Sequence, residues 1–183
     1  IKLLHAEIFT YYAKILANNL NEAESKELER LIYASRNMMN SIKNFKGVRH
    51  NLDEFDGSDN AYLNLQYKQF RKRLVGVYHE MGLVLQMAGK KEQYESLMST
   101  YLQIEEADQR FIDNTLNAVT EGKIQELEIA SLLLVNRLFT QSCRMQVYGM
   151  KDLLLSQDLV NHFDRTMDAK VNAAAEQNSA LPA

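Results

Sequence analysis

Three groups of side chains in this sequence have the types and spacing for chemistry. Glu22, Glu24, Glu27 and Glu29 crowd one short stretch. Grouped carboxylates suit hard cations, and acids at a helix N-terminus also simply complement its dipole. Asp108 falls on or beside an apolar stripe, near Glu105. A carboxylate there can ligate a metal or pair with an arginine from another helix; the spacing favours Ala107 in the seam and Asp108 on the flank. The third group is basic. Lys43, Lys46, Arg49 and His50 recur at spacings that share one helix face, and Lys68, Arg71, Lys72 and Arg73 form a second cluster. Such faces suit lipid headgroups, phosphate or an acidic partner. A solvated face balanced by nearby acids such as Asp53, Glu54 and Asp56 is the favoured reading.

Other signatures are missing. Every glycine is isolated, so no Gly-rich loop can cradle a phosphate. No His-Glu-x-x-His occurs, and no histidine follows a glutamate by three positions as in di-iron carboxylate bundles. Cys143, the single cysteine, lies in a helical pattern without a nearby histidine, which reads as a small buried apolar residue. No acid, base or nucleophile finds a partner, and an enzyme is not expected.

The elements that must position these groups are helices. The chain has 183 residues, 46% apolar and 25% charged, with a net charge of −3. That balance gives no reason to expect general nucleic-acid binding, which needs a strongly basic face. The one proline is Pro182, so helices joined by short turns can fill nearly the whole length. No apolar run approaches the roughly 20 residues of a membrane span. The chain opens Ile1-Lys2-Leu3-Leu4 without a methionine, as a piece of a longer protein would.

Six helices are expected. The first covers Lys2 to Asn18, with Leu4, Ile8, Tyr11 and Ile15 on one face. Asn21 with Glu24 makes a capping-box pattern for the second, which runs to Asp56-Gly57 on a stripe of Leu28, Leu31, Met38, Ile42, Phe45, Leu52 and Phe55. The third carries a heptad seam: Leu63, Tyr67, Phe70, Leu74, Val77, Met81, Val84 and Ala88. Gly89 ends it. The fourth uses Tyr94, Leu97, Tyr101, Ile104, Phe111 and Val119, up to Glu121-Gly122. The fifth uses Ile124, Leu127, Leu134, Leu138, Met145, Tyr148 and Leu153. Ser156 opens the sixth, with Leu159, Phe163, Met167 and Val171. Short turns make sequential helices antiparallel neighbours. Residues 1–89 and 91–178 each hold three, with a frayed tail at 179–183.

The stretch Leu28-Glu29-Arg30-Leu31-Ile32-Tyr33-Ala34-Ser35-Arg36-Asn37 resembles the signature helix of PhoU-like proteins. Its continuation from Met38 to Leu52 is similar to one branch of that family, the cytoplasmic tail of bacterial sodium/phosphate cotransporters. Leu132-Leu133-Leu134-Val135-Asn136-Arg137 and Met150-Lys151-Asp152-Leu153-Leu154-Leu155 resemble the same tail's second long helix.

The resemblance implies an all-α fold of two three-helix bundles and a regulatory role in phosphate uptake without catalysis. It implies a location at the cytoplasmic face of the inner membrane, as part of a longer membrane protein. The expected partner is the transporter domain of the same polypeptide, with a homodimer next and no nucleic acid. The family's metal motif is a Glu/Asp-x-x-x-Asp pair. Glu29 is followed at that spacing by Tyr33 and Glu128 by Leu132, so each carries over as half a motif. No cofactor is expected; a divalent or iron cation at Glu29 and Glu128 is the only metal the resemblance leaves open. The alternatives are a metal-binding phosphate-signalling regulator and a structural oligomerisation module.

Overall fold

The computed structural model describes the backbone of residues 2–179 and the side chains of residues 3–169. Among the described residues there are six helices and no strand. They are α1 (Lys2–Leu16), α2 (Glu22–Asp56), α3 (Ala61–Gln86), α4 (Lys90–Thr120), α5 (Glu126–Leu154) and α6 (Gln157–Ser179). The expected all-α helical bundle is therefore present.

Local chemistry sets the boundaries. Asn21 caps α2 with the expected capping box: its Oδ1 accepts from the Glu24 amide at 2.9 Å, and the Asn21 amide donates to Glu24 Oε2 at 2.9 Å. Asn60 caps α3 by accepting from the Tyr62 amide at 2.9 Å. Between α4 and α5 the chain turns through Gly122 at φ 68°, a left-handed conformation that glycine adopts without strain. α6 begins directly after Ser156 and continues through Asn172 to Ser179. Residues 180–183 of the expected frayed tail, and the Val171 side chain, lie outside the described residues.

Helices α2, α3, α4 and α5 pack in a ring, α5 closing on α2, while α1 lies on α2 and α6 on α4. Arg30 meets Leu155, Ser41 meets Ser142 and Phe45 meets Phe139, so α2 and α5 run antiparallel. At 35 residues α2 is roughly 50 Å long. The two halves share one core through this contact. Phe70 of α3 lies 5.4 Å from Phe111 of α4 and 5.0 Å from Phe139 of α5, ring centre to ring centre. At the tightest approach of α2 to α5, a Cβ on Gly149 would stand 2.8 Å from Met38 Cε and 3.2 Å from the Ala34 carbonyl oxygen.

The α3 seam is buried or half-buried as expected from Leu63 to Val84, whereas Ala88 is exposed beyond the helix end. The stripes expected for α2 and α5 hold in part: Met38, Phe45, Leu52 and Phe55 of α2 and Leu138 and Tyr148 of α5 pack into the core. Leu31 and Ile42 are exposed, and α2 buries Ile32, Ala34, Met39, Ser41 and Val48 instead. On α5, Leu127 is 84% exposed and Leu153 49%, while Asn136, Thr140, Ser142 and Gln146 are buried. α5 is gripped by α2 on one side and α4 on the other, so its two inner faces are chosen by partners available on those helices rather than by hydropathy alone.

Candidate functional site

The polar residues on α5 face carboxylates and hydroxyls on its neighbours. Toward α4, Asp108 Oδ1 accepts from Asn136 Nδ2 at 2.5 Å and from Thr140 Oγ1 at 3.0 Å. Asp108 Oδ2 lies 3.5 Å from Arg144 Nη2. Arg144 also grips Glu105 with both arms of its fork, Nε to Oε1 and Nη2 to Oε2 at 2.7 Å. Burial alone would lower the Arg144 guanidinium pKa; the hydrogen bonds and charge of Glu105 outweigh it and hold the value above normal. Asp108 thus turns inward to an arginine of another helix, and does not sit on an outer flank. Toward α2, Ser142 Oγ donates to the Ser41 carbonyl at 2.5 Å and Gln146 Nε2 donates to Ser41 Oγ at 3.1 Å.

The network extends to α3. Arg73 Nη1 donates to Asn136 Oδ1 at 3.4 Å. Its guanidinium carbon lies 5.0 Å from the centre of the Phe139 ring and 5.8 Å from that of Phe70. Burial pushes this guanidinium below the usual arginine value; Cys143 and Asp108 oppose the shift and Arg110 adds to it. Arg73 stands where two adjoining grooves between α3 and α4 meet. One, of about 210 Å³, is walled by Lys72, Arg73, Arg110, three side-chain amides, Ala107 and two phenylalanines. The other, of about 380 Å³, continues along Val77, Ile104, Phe139 and Cys143, with Glu80 at its edge. Cys143 is buried, and burial raises its thiol pKa to about 12 despite Arg73, so it is no nucleophile.

The other sequence-selected residues are dispersed. Glu29 borders a cleft with Lys26, Arg30, Lys151, Asp152 and Asp164 at the α2/α5/α6 end of the bundle. There Lys151 Nζ donates to Asp164 Oδ1 at 2.6 Å and lies 3.2 Å from Asp152 Oδ1. Glu128 accepts from the Gln125 amide at 2.6 Å and from Asn60 Nδ2 at 3.2 Å, so it serves as a cap. Asn60 lies beyond the far end of α2, so about 40 Å of helix separates Glu128 from Glu29, and the two half motifs do not come together. No group of three or more metal-ligating side chains converges among the described residues.

Lys43, Lys46, Arg49 and His50 are all exposed on α2. Arg49 lies 3.7 Å from Asp53 and His50 3.3 Å from Glu54, both one turn apart on the same helix. In the second cluster, Lys68, Arg71 and Lys72 face solvent and only Arg73 turns inward. Sequence reasoning grouped Arg73 with its surface neighbours. Its place one turn from Phe70 and Val77, both on the seam, was the signal that it differs.

A second surface feature is apolar. Leu3, Leu4, Ile8 and Tyr11 of α1 and Leu31 of α2 remain exposed, and Leu4, Ile8 and Leu31 border a groove of about 400 Å³ with Met38, Ile42 and Leu153. No helix of the described residues is long and apolar enough to cross a membrane. Compared with models of known protein families, with curated proteins and with solved structures, the chain matches none.

Proposed function

We propose that this chain is a regulatory and interaction domain that works by helix-to-helix contact, without catalysis, in the control of phosphate uptake. The observation that carries the contact role is the apolar groove along α1 and α2. Leu4, Leu31 and Leu153, which line it, are 60%, 40% and 49% exposed, and exposed apolar patches of this kind mark interaction sites. The link to a sodium/phosphate transporter, and to the cytoplasmic face of the inner membrane, is supported by the resemblance of Leu28–Leu52 and the two α5 stretches to such a tail. On this reading the partner is a membrane-embedded domain of the same polypeptide.

Two measurements test it. The coding sequence upstream of Ile1 is expected to encode several apolar segments of roughly 20 residues each; their absence removes the transporter. Phosphate uptake by cells carrying the whole gene is expected to lose its regulation in an Ile8→Glu/Leu31→Glu variant that remains helical and folded. Unchanged uptake control in that variant refutes the contact surface. A purified dimer that the same variant converts to monomer would instead identify the groove as a self-association surface.

A further inference from the structure

We propose that the groove between α3 and α4 binds a small dianionic oxyanion of the phosphate-monoester class, with Arg73 at its floor and Lys72 and Arg110 at its rim. This goes beyond the contact role above and does not depend on it.

Three features carry the assignment. The first is convergence of charge. Lys72, Arg73 and Arg110 wall the smaller groove together with the amides of Gln66, Gln69 and Asn114, and no carboxylate lines it. Like charges brought together repel unless an anion joins them. Arg110 has a partner in Glu106 at 3.0 Å, one turn back on the solvent face. Asp108, whose charge acts on Arg73 from within the fold, is already held by Asn136, Thr140 and Arg144, and Glu80 borders only the larger groove.

The second is the unused bonding capacity of Arg73. A guanidinium carries five N–H donors in a planar fork. Arg73 makes one long hydrogen bond, 3.4 Å to Asn136, among the described residues. Its other contacts are the Phe70 and Phe139 rings, which engage the charge and not the donors. A half-buried arginine with free donors matches the two-oxygen face of a phosphate.

The third is shape. Lys72, Arg73 and Arg110 also border the larger groove, whose wall is apolar at Val77, Ile104 and Phe139. An anionic head between the cations therefore places an attached apolar body against that wall. The ligand class is an organic monoester, and inorganic phosphate fills only the head position.

Calorimetric titrations at fixed ionic strength test this with phenyl phosphate, inorganic phosphate, benzoate, and vesicles containing phosphatidic acid. Phenyl phosphate is expected to bind saturably, about tenfold or more tighter than inorganic phosphate, with benzoate weakest. Arg73→Met keeps the apolar contacts and is expected to weaken phenyl phosphate by about tenfold or more, and Arg110→Gln by a smaller factor. Arg110→Gln alters only the exposed rim, so it reports even if Arg73→Met loses its fold. Lys43→Gln/Lys46→Gln on α2 is expected to change nothing. Arg73-dependent binding of the soluble monoester assigns a free ligand; Arg73-dependent binding of the vesicles alone assigns the same chemistry to a lipid headgroup. Absence of saturable binding by every probe, or equal affinity in the starting protein and the Arg110→Gln and Arg73→Met variants, overturns the proposal.

Discussion

Asp108 gives the sharpest test of how the bundle is held together, because its charge and its acceptor oxygens can be separated. In Asp108→Ala both disappear. Asn136 Nδ2 and Thr140 Oγ1 then lose their acceptor inside a protein where Asn136 is 4% and Thr140 1% exposed. Each buried donor left without a partner costs roughly 1–3 kcal/mol. Taking the low half of that range, because Asp108 is itself only half-buried, the pair costs about 2–4 kcal/mol. In Asp108→Asn the amide oxygen still accepts from Thr140 or Asn136, and only the charge facing Arg144 is lost. That pair is 3.5 Å apart, with side chains 23% and 32% exposed. Partly exposed pairs contribute about 1 kcal/mol or less.

Urea unfolding followed by helical circular dichroism reads the difference. With a slope of about 2 kcal/mol/M, Asp108→Ala is expected to lower the midpoint by about 1–2 M and Asp108→Asn by about 0.5 M or less. Equal losses in the two variants would mean that charge, not hydrogen bonding, holds α4 to α5. Losses below about 0.5 M in both would mean that the network contributes no stability and does not choose the inner faces of α5.

Two further outcomes follow from the same packing. Gly149→Val would drive a side chain into Met38 and the Ala34 carbonyl; a loss of about 1–3 kcal/mol is expected, and a variant as stable as the starting protein would show that α2 and α5 do not approach so closely. Burial raises the Asp152 pKa, against the opposing charge of Lys151 and with Asp164 adding to the rise. An acid whose folded pKa lies above its unfolded value binds more protons when folded. Its contribution to stability therefore falls as pH rises through the window between the two values, starting at about 4. Asp152→Asn is expected to be at least as stable as the starting protein at pH 7, with the advantage shrinking toward pH 4; a deficit at pH 7 that closes on acidification would contradict the sign.

Helix count, the Asn21 capping box and the α3 seam were all legible in the sequence because each depends on local spacing. The face of α5 was not. Hydropathy selects Leu127, Leu134 and Leu153, yet the structure leaves these outward and buries Asn136, Thr140, Ser142 and Gln146. A polar residue is tolerated inside only if its partner is present, and the partners lie far away in sequence: Asp108 on α4 and Ser41 on α2. No single-helix pattern carries that information. Arg73 shows the same limit. Its spacing from Phe70 and Val77 places it beside the seam, but only the crossing of α3 with α5 brings it to Asn136 and Phe139. Glu128 differs again: the resemblance offered it as half of a metal motif, while its position three residues after Gln125 makes it a cap.

The placement of polar groups inside and leucines outside has one cause. A four-helix ring built from apolar seams alone slides easily, since one leucine packs about as well as the next. Asp108 with Asn136, Thr140 and Arg144 fixes α4 against α5 at one height, and Ser41 with Ser142 and Gln146 fixes α2 against α5 at another. Each pairing is made at one register and is lost at a shifted one, which strands further buried polar atoms beside Gln146 Oε1, already without a partner. With α5's inner faces used in this way, leucines at Leu127, Leu133, Leu134 and Leu153 are left toward solvent. The ring therefore holds its register while keeping apolar surface available. That combination suits a domain whose work is to present a rigid face to a partner, and it is why the groove beside Leu31 and Leu153, with α1 laid along it, is the surface to perturb first.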